Sequence, residues 1–288
     1  MAQIKEIKSR IKTVKNIGQI TKAMKMVATA RLKKAQERIL GARPYAIRMA
    51  DVMKNLASKM GEEVHPLLAV RNEGKTALIV ITADRGLCGS FNVNIIRQAQ
   101  NYLRENPDTV LLTIGKKGRD FFRRRNVPVR KDWTGVFPNV SYETVLEVRD
   151  EIETLFVQEK FKNVLVLFTE FKSVIQQVAT LDTLLPIRLE NLPGDGQTVT
   201  VTGGDYEFEP DLDTILNTLV SQYLATQIHR MLLESFSSEM GAKRSAMESA
   251  SKNAGEMITR LTLEFNRARQ AMITKELAEI VGGAAALE

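Results

Sequence analysis

The sequence predicts an α/β protein: a long antiparallel coiled coil of N- and C-terminal helices plus a small central α/β domain with a mainly parallel sheet. Three observations in the 288 residues predict it. Seven of the eight prolines fall between residues 66 and 210, and a proline costs a helix interior about 3 kcal/mol. Narrow apolar seams at three- and four-residue spacing occupy both ends, as in coiled coils. Between them, short apolar runs alternate with helical patterns, which implies parallel strands joined by right-handed crossovers. The chain therefore divides as 1–60, a coiled-coil helix; 61–210, a Rossmann-like α/β domain; and 211–288, a second coiled-coil helix.

In the first helix, Ile4, Ile7, Ile11 and Val14 form the seam. The apolar stripe then slips by one position near Gly18, to Ile17, Ile20, Met24 and Val27, and slips again to Ala28, Leu32, Ala35 and Ile39. Such slips argue against one uniform supercoil. Gly41 and Pro44 are expected to bend or interrupt the helix, which resumes through Met49, Val52, Met53, Leu56 and Met60.

The middle segment holds three apolar runs that read as buried strands: 76–83 (TALIVITA), 110–114 (VLLTI) and 164–169 (VLVLFT). Residues 94–103, 117–125 and 142–156 carry helical spacing, 174–181 reads as an antiparallel edge strand, and 186–210 as a loop or hairpin. The last helix opens after Pro210 and carries Leu212, Ile215, Leu216, Leu219, Tyr223, Leu224, Ile228, Met231 and Leu232. Its far seam is Ile258, Leu261, Phe265, Ala268, Met272, Leu277 and Ile280. Between these, 12 of the 21 residues from 235 to 255 are Ser, Ala or Gly, which lets a partner helix approach closely. At 1.5 Å per residue the segment could reach about 100 Å. It is longer than the first helix, so its end should run past the pair as a single helix.

Charge narrows the function classes. Residues 1–50 carry 13 Lys/Arg against Glu6 and Glu37, a net +11; the remainder holds 28 bases and 32 acids, a net −4. A helix this basic has few opposite charges four residues away and repels itself, so it reads as a surface for an acidic partner. Nucleic acid would call for interleaved aromatics, and residues 1–60 contain only Tyr45. A basic coiled-coil nucleic-acid-binding protein stands as the alternative to an acidic protein collar. No apolar run approaches the ~20 residues of a membrane span, and the N-terminus shows neither signal-peptide core nor transit leader, which predicts a cytosolic location.

Nothing in the sequence reads as catalytic. Asp84-Arg85-Gly86-Leu87-Cys88-Gly89-Ser90 follows a strand and precedes a helix, yet it matches neither phosphate-binding glycine pattern; Gly115-Lys116-Lys117-Gly118 is weaker. One cysteine, Cys88, and two histidines, His65 and His229, leave no disulfide framework or multi-cysteine zinc site, so no metal or cofactor is expected.

Three stretches carry a family resemblance: ITKAMKMVATARLKKAQ at 20–36, TADRGLCGSFN at 82–92, and ITKELAE at 273–279 followed by GAAA at 283–286. Together with the helix–domain–helix layout, the sequence resembles the γ subunit of F-type ATP synthases along essentially its whole length. The resemblance implies a non-catalytic rotor shaft inside a ring of three α and three β subunits, which own the nucleotide sites. It implies that Met24 and Lys25 meet acidic β loops, and that Arg267, Arg269, Gln270, Thr274 and Glu276 meet β loops near the far end of the pair. The apolar C-terminal tip would be a bearing. The α/β body would bind the ε subunit and stand on the membrane c-ring, with residues 84–92 structural and membrane association only through the complex. No nucleic acid is implied. A single cysteine, where plant-type members carry a paired-cysteine segment, points to a bacterial enzyme at the cytoplasmic face of the membrane.

Overall fold

The computed structural model describes residues 2–59, 65–174, 176–188 and 212–285. The elements run α1 (Ala2–Lys59), β1 (Thr76–Ile81), α2 (Phe91–Glu105), β2 (Val110–Ile114), α3 (Lys116–Arg124), β3 (Val129–Trp133), α4 (Tyr142–Glu153), a π-helical turn (Thr154–Gln158), β4 (Asn163–Phe171), β5 (Gln177–Leu185) and α5 (Leu212–Ala285). They form two compact units, Ala30–Ala242 and Met1–Thr29 with Lys243–Glu288. Each long helix contributes to both. The expected loop at 186–210 lies mostly outside the described residues, as does the extreme C-terminal tip.

In the unit Ala30–Ala242, the sheet order is β3-β2-β1-β4-β5. β1 pairs in parallel with β2 and β4, β2 with β3, and only β5 is antiparallel, as the sequence predicts. The three inner strands β1, β2 and β4 are near-continuous apolar runs because both faces are covered. On one face, Ile79, Ile81, Leu112, Ile114, Val166 and Phe168 pack with Val145 and Ile152 of α4, Val220, Leu224 and Leu232 of α5, and Met49 and Met53 of α1. On the other, Leu78, Val80, Leu111 and Leu167 pack with Ile95 and Ala99 of α2 and Phe122 of α3. The period-two alternation of β1 is what divides its residues between the two layers.

Sequence reading misses β3. Its VRKDW carries three charged residues in a row, which hides the strand. Charge is tolerated because β3 is an edge, and the charges are used: Arg130 binds Glu151 and Glu159, and Lys131 binds Glu151. The antiparallel strand also sits three to four residues later than the predicted 174–181.

The expected break at Gly41 and Pro44 does not occur; α1 is helical from Ala2 to Lys59 with Pro44 inside it. One lost hydrogen bond is a local cost, and packing on both sides holds the helix through it: Leu32 and Ala35 before it, Met49 and Met53 after it, are all buried.

In the other unit, residues 4–28 of α1 and 247–272 of α5 pack along one seam. The predicted slip at Gly18 is also wrong. The buried or half-buried positions include Ile4, Ile7, Ile11, Val14, Gly18, Thr21, Lys25 and Ala28, an unbroken three-four alternation that continues to Leu32 and Ala35; of the residues expected to carry the slip, only Met24 is half-buried, at the flank of this seam. The geometric repeat persists while the residue types turn small and polar, so Ile17, Ile20 and Val27 are left exposed about 100° round the helix. From α5 the seam takes Met247, Ala254, Ile258, Leu261, Phe265, Ala268 and Met272. Leu277 and Ile280, expected to continue it, are exposed.

The reason lies in the antiparallel register. Lys25 meets Glu248, and Gly18 lies against Ala254, so paired residue numbers total 272–273. On that register Ala2, the start of α1, falls opposite about residue 270. Every residue from Ile273 to Val281 is exposed, as a lone helix requires.

Candidate functional site

In an open α/β sheet, ligands bind outside the carboxyl ends of the strands where the order reverses, here between β1 and β4. This chain fills that place with its own residues. Ser238 Oγ donates to the Thr169 carbonyl, Thr169 N–H donates to Ser235 Oγ, and Ala242 packs on Ala83, Cys88 and Phe91. The small residues of α5 therefore press close against the strand ends.

The candidate phosphate loop is consumed internally as well. The Asp84 carboxylate accepts backbone N–H bonds from Lys116, Gly135 and Phe137, so a fixed side-chain anion ties the loop to the start of α3 and to the 135–137 loop. Asn92 Oδ1 accepts from Ala83 N–H, and its Nδ2 donates to the buried Cys88 sulfur. Gly115 and Gly118 serve Thr82: a Cβ on Gly115 would stand 1.9 Å from the Thr82 carbonyl oxygen, and one on Gly118 2.9 Å from its hydroxyl. That hydroxyl accepts from Gly118 N–H at 2.8 Å. The glycines are packing requirements rather than a cradle.

The two histidines are half-buried and held below their ordinary pKa, chiefly by desolvation; Arg38 adds to this at His229, while Asn217 and Glu153 oppose it at His65. His65 Nδ1 accepts from Leu67 N–H and so fixes the turn that leads toward β1. Among the described residues, no group of His, Cys, Asp and Glu could hold a metal ion.

What the chain does present is the outside of its helix pair. Arg267, Arg269, Gln270, Thr274 and Glu276 are all exposed on α5. Met24 is half-buried. Lys25 is half-buried too, its Nζ 2.6 Å from Glu248 Oε1 across the pair. Sequence reading assigns Ile17, Ile20 and Val27 to the seam and so misses them as surface; counting the strict seven-residue repeat onward from Ile4 would have found them. With Met26, Met257, Leu263, Ile273, Leu277, Ile280 and Val281, they leave large apolar groups facing solvent along two helices. Scattered exposed apolars are ordinary, but rows at helical spacing mark an interaction surface.

A family model described as ATP synthase matches residues 3–287. The ATP synthase gamma chain of Anaeromyxobacter sp. (strain Fw109-5) is 45% identical over 295 residues, covering all of both chains. That of Heliobacterium modesticaldum (strain ATCC 51547 / Ice1) is 44% identical over 289 residues, again with full coverage of both. Among solved structures, a chain from the central stalk/c-ring of the Tetrahymena thermophila mitochondrial ATP synthase aligns with a TM-score of 0.60 at 27% identity, over 81% of this chain and 99% of that one. A chain from the OSCP/F1/c-ring of the Euglena gracilis mitochondrial ATP synthase has a TM-score of 0.70 over 99% of this chain and 95% of its own. At 19% identity that likeness speaks for the fold alone. This chain belongs to the ATP synthase gamma-chain family.

Proposed function

We propose that the chain is the central rotor shaft of an F-type ATP synthase. It couples ion flow through the membrane sector to ATP synthesis or hydrolysis by turning inside a hexamer of three α and three β subunits. The observation that carries this reading is the helix pair: a single narrow seam inside, and rows of apolar and basic groups left outside. Stiffness suits torque, and a surface of many modest contacts suits rotation, because no single contact locks it.

The chain itself is non-catalytic, and catalysis resides on the β subunits. The filled strand-end crevice supports this, since the place where such a sheet would bind a nucleotide holds α5 and Asp84. Working segments 1–60 and 211–288 form the shaft, and 61–210 the body that meets the ε subunit and the c-ring. Met24 and Lys25 face acidic β loops; Arg267, Arg269, Gln270, Thr274 and Glu276 face β loops farther along. Arg267 and Arg269 carry the larger share, because a guanidinium makes several directed hydrogen bonds. The exposed Ile273, Leu277, Ile280 and Val281 form the bearing. Among the described residues no helix is long and apolar enough to cross a membrane. In the proposed assembly the chain reaches the cytoplasmic face of a bacterial membrane through its complex.

The test is to mix the chain with purified α and β subunits and follow ATP hydrolysis across a size-exclusion peak. Co-elution at one copy per hexamer with altered hydrolysis supports the reading. Separate elution after co-expression, with salt-sensitive binding to duplex DNA, would replace it with the nucleic-acid alternative.

A further inference from the structure

The middle of the helix pair is unusual for a coiled coil. Toward the start of α1 the seam is lined by large apolar groups, Ile4, Ile7, Ile11 and Val14, with Ile258, Leu261, Phe265 and Met272 from α5. From Gly18 to Ala28 it holds Gly18, Thr21, Lys25 and Ala28, with Met247 and Ala254 from α5. A seven-residue repeat of apolar groups is degenerate: sliding one helix by seven residues restores the same pattern. Small residues bury little area and do not resist that slide.

Lys25 breaks the degeneracy. It occupies a seam position, three residues before Ala28 and four after Thr21, and its Nζ reaches Glu248 Oε1 at 2.6 Å across the pair. A slide of seven residues would place Gly255 or Gly241 opposite Lys25, with no carboxylate to meet it. Glu256, next to Gly255, points about 100° away on an α-helix. An exposed ion pair contributes little to stability, but a lone charge at a seam position selects one register over others. The hydrogen bond from Lys25 also holds the Glu248 carboxyl below the ordinary range.

We infer that Lys25 and Glu248 are positioning residues that fix the register of the helix pair, a role that Lys25 holds in addition to the β contact proposed above. The geometry also supplies the ruler that tests this. A Cβ built on Gly18 lies 3.5 Å from the Ala254 Cβ, within the Cβ separation of a disulfide, roughly 3.5–4.5 Å. The full-length chain carrying Gly18→Cys and Ala254→Cys should therefore cross-link under mild oxidation; Cys88, the native cysteine, is buried.

In that background, Lys25→Glu and Glu248→Lys should each slow cross-linking by about fivefold, the order of effect expected when like charges face each other at a register-setting seam position. The double charge swap should return it to within about twofold of the parent, because it rebuilds the pair with opposite sense. Unchanged cross-linking in both single variants, or a swap that fails to restore it, overturns the inference. A second arm, which rests on the proposed function, reads ATP hydrolysis after assembly with α and β subunits. If the swap restores cross-linking and hydrolysis together, the register alone limits both. If cross-linking returns and hydrolysis does not, the register inference stands and the lost hydrolysis belongs to the β contact proposed for Lys25. If no variant or parent assembles with α and β, the proposed function fails while the cross-link arm still reads the register.

Discussion

In the sheet unit, β1 buries Leu78 and Val80 on one face and Ile79 and Ile81 on the other, all within 1–2% exposure of complete burial. In the helix-pair unit, Ile4, Ile7, Ile11 and Val14 reach only half-burial, and among the described residues the far side of either helix is exposed. The same chain thus contains a core that excludes water from both layers and a seam that water can reach. Apolar burial contributes about 25 cal/mol per Å², so the sheet unit is expected to hold most of the stability of the isolated chain. The helix pair depends on assembly for the rest. The exposed apolar rows are the visible sign of that dependence.

Truncations should break the comparison most sharply. Phe156→Ala, which empties a fully buried site, should cost about 3–5 kcal/mol in denaturant unfolding. Ile11→Ala, half-buried in the seam, should cost about 1 kcal/mol, since area already exposed contributes nothing on folding. Equal losses would mean that the seam is as dry as the core.

The glycines give the next contrast. Gly115 has φ +96° and no room for a Cβ beside the Thr82 carbonyl, so Gly115→Ala should cost about 3 kcal/mol in strain and displacement. Gly18→Ala places its methyl at ordinary contact distance from Ala254 inside a helix. It should therefore stabilise the pair by about 0.5–1 kcal/mol, through helix propensity and a less flexible unfolded chain. Circular-dichroism melts of both variants would show the opposite signs.

Acid separates the units by pH window. His65 and His229, both in the sheet unit, have folded pKa values below their unfolded value of about 6.5. The unfolded chain then binds more protons, so stability present above that value is lost as pH falls toward the folded pKa values. Residues 2–29 and 243–285 contain no histidine, and their Glu248, lowered by Lys25, gives way only below the ordinary carboxylate range. Replacing both histidines with Gln should flatten the stability of the chain between about pH 7 and 5. The smallest effect on folding is expected at the tip. Leu277→Ala should leave the isolated chain within about 0.5 kcal/mol of the parent, while weakening co-elution with α and β subunits.

Much of this is legible in the sequence. Strands 110–114 and 164–169 were visible because burial on both faces leaves only apolar residues to write them. β3 was not, because an edge strand can carry Arg130, Lys131 and Asp132 in succession. The seam was legible wherever Ile, Val and Leu mark it, and was lost from Gly18 to Lys25, where geometry holds the repeat and residue type does not. The role of Gly115 depends on Thr82, 33 residues earlier, which meets it only through β-sheet pairing. The candidate contacts at Arg267 and Arg269 came from family resemblance alone, since one exposed arginine on a helix reads like another.

The most direct measurement is amide hydrogen exchange on the chain alone and after assembly with α and β subunits. The account predicts that residues 254–285 exchange quickly in the free chain and gain about a hundredfold protection on assembly, while β1, β2 and β4 change less than about threefold. Equal protection of the helix pair and the sheet in the free chain would contradict it, because the pair would then be complete without partners.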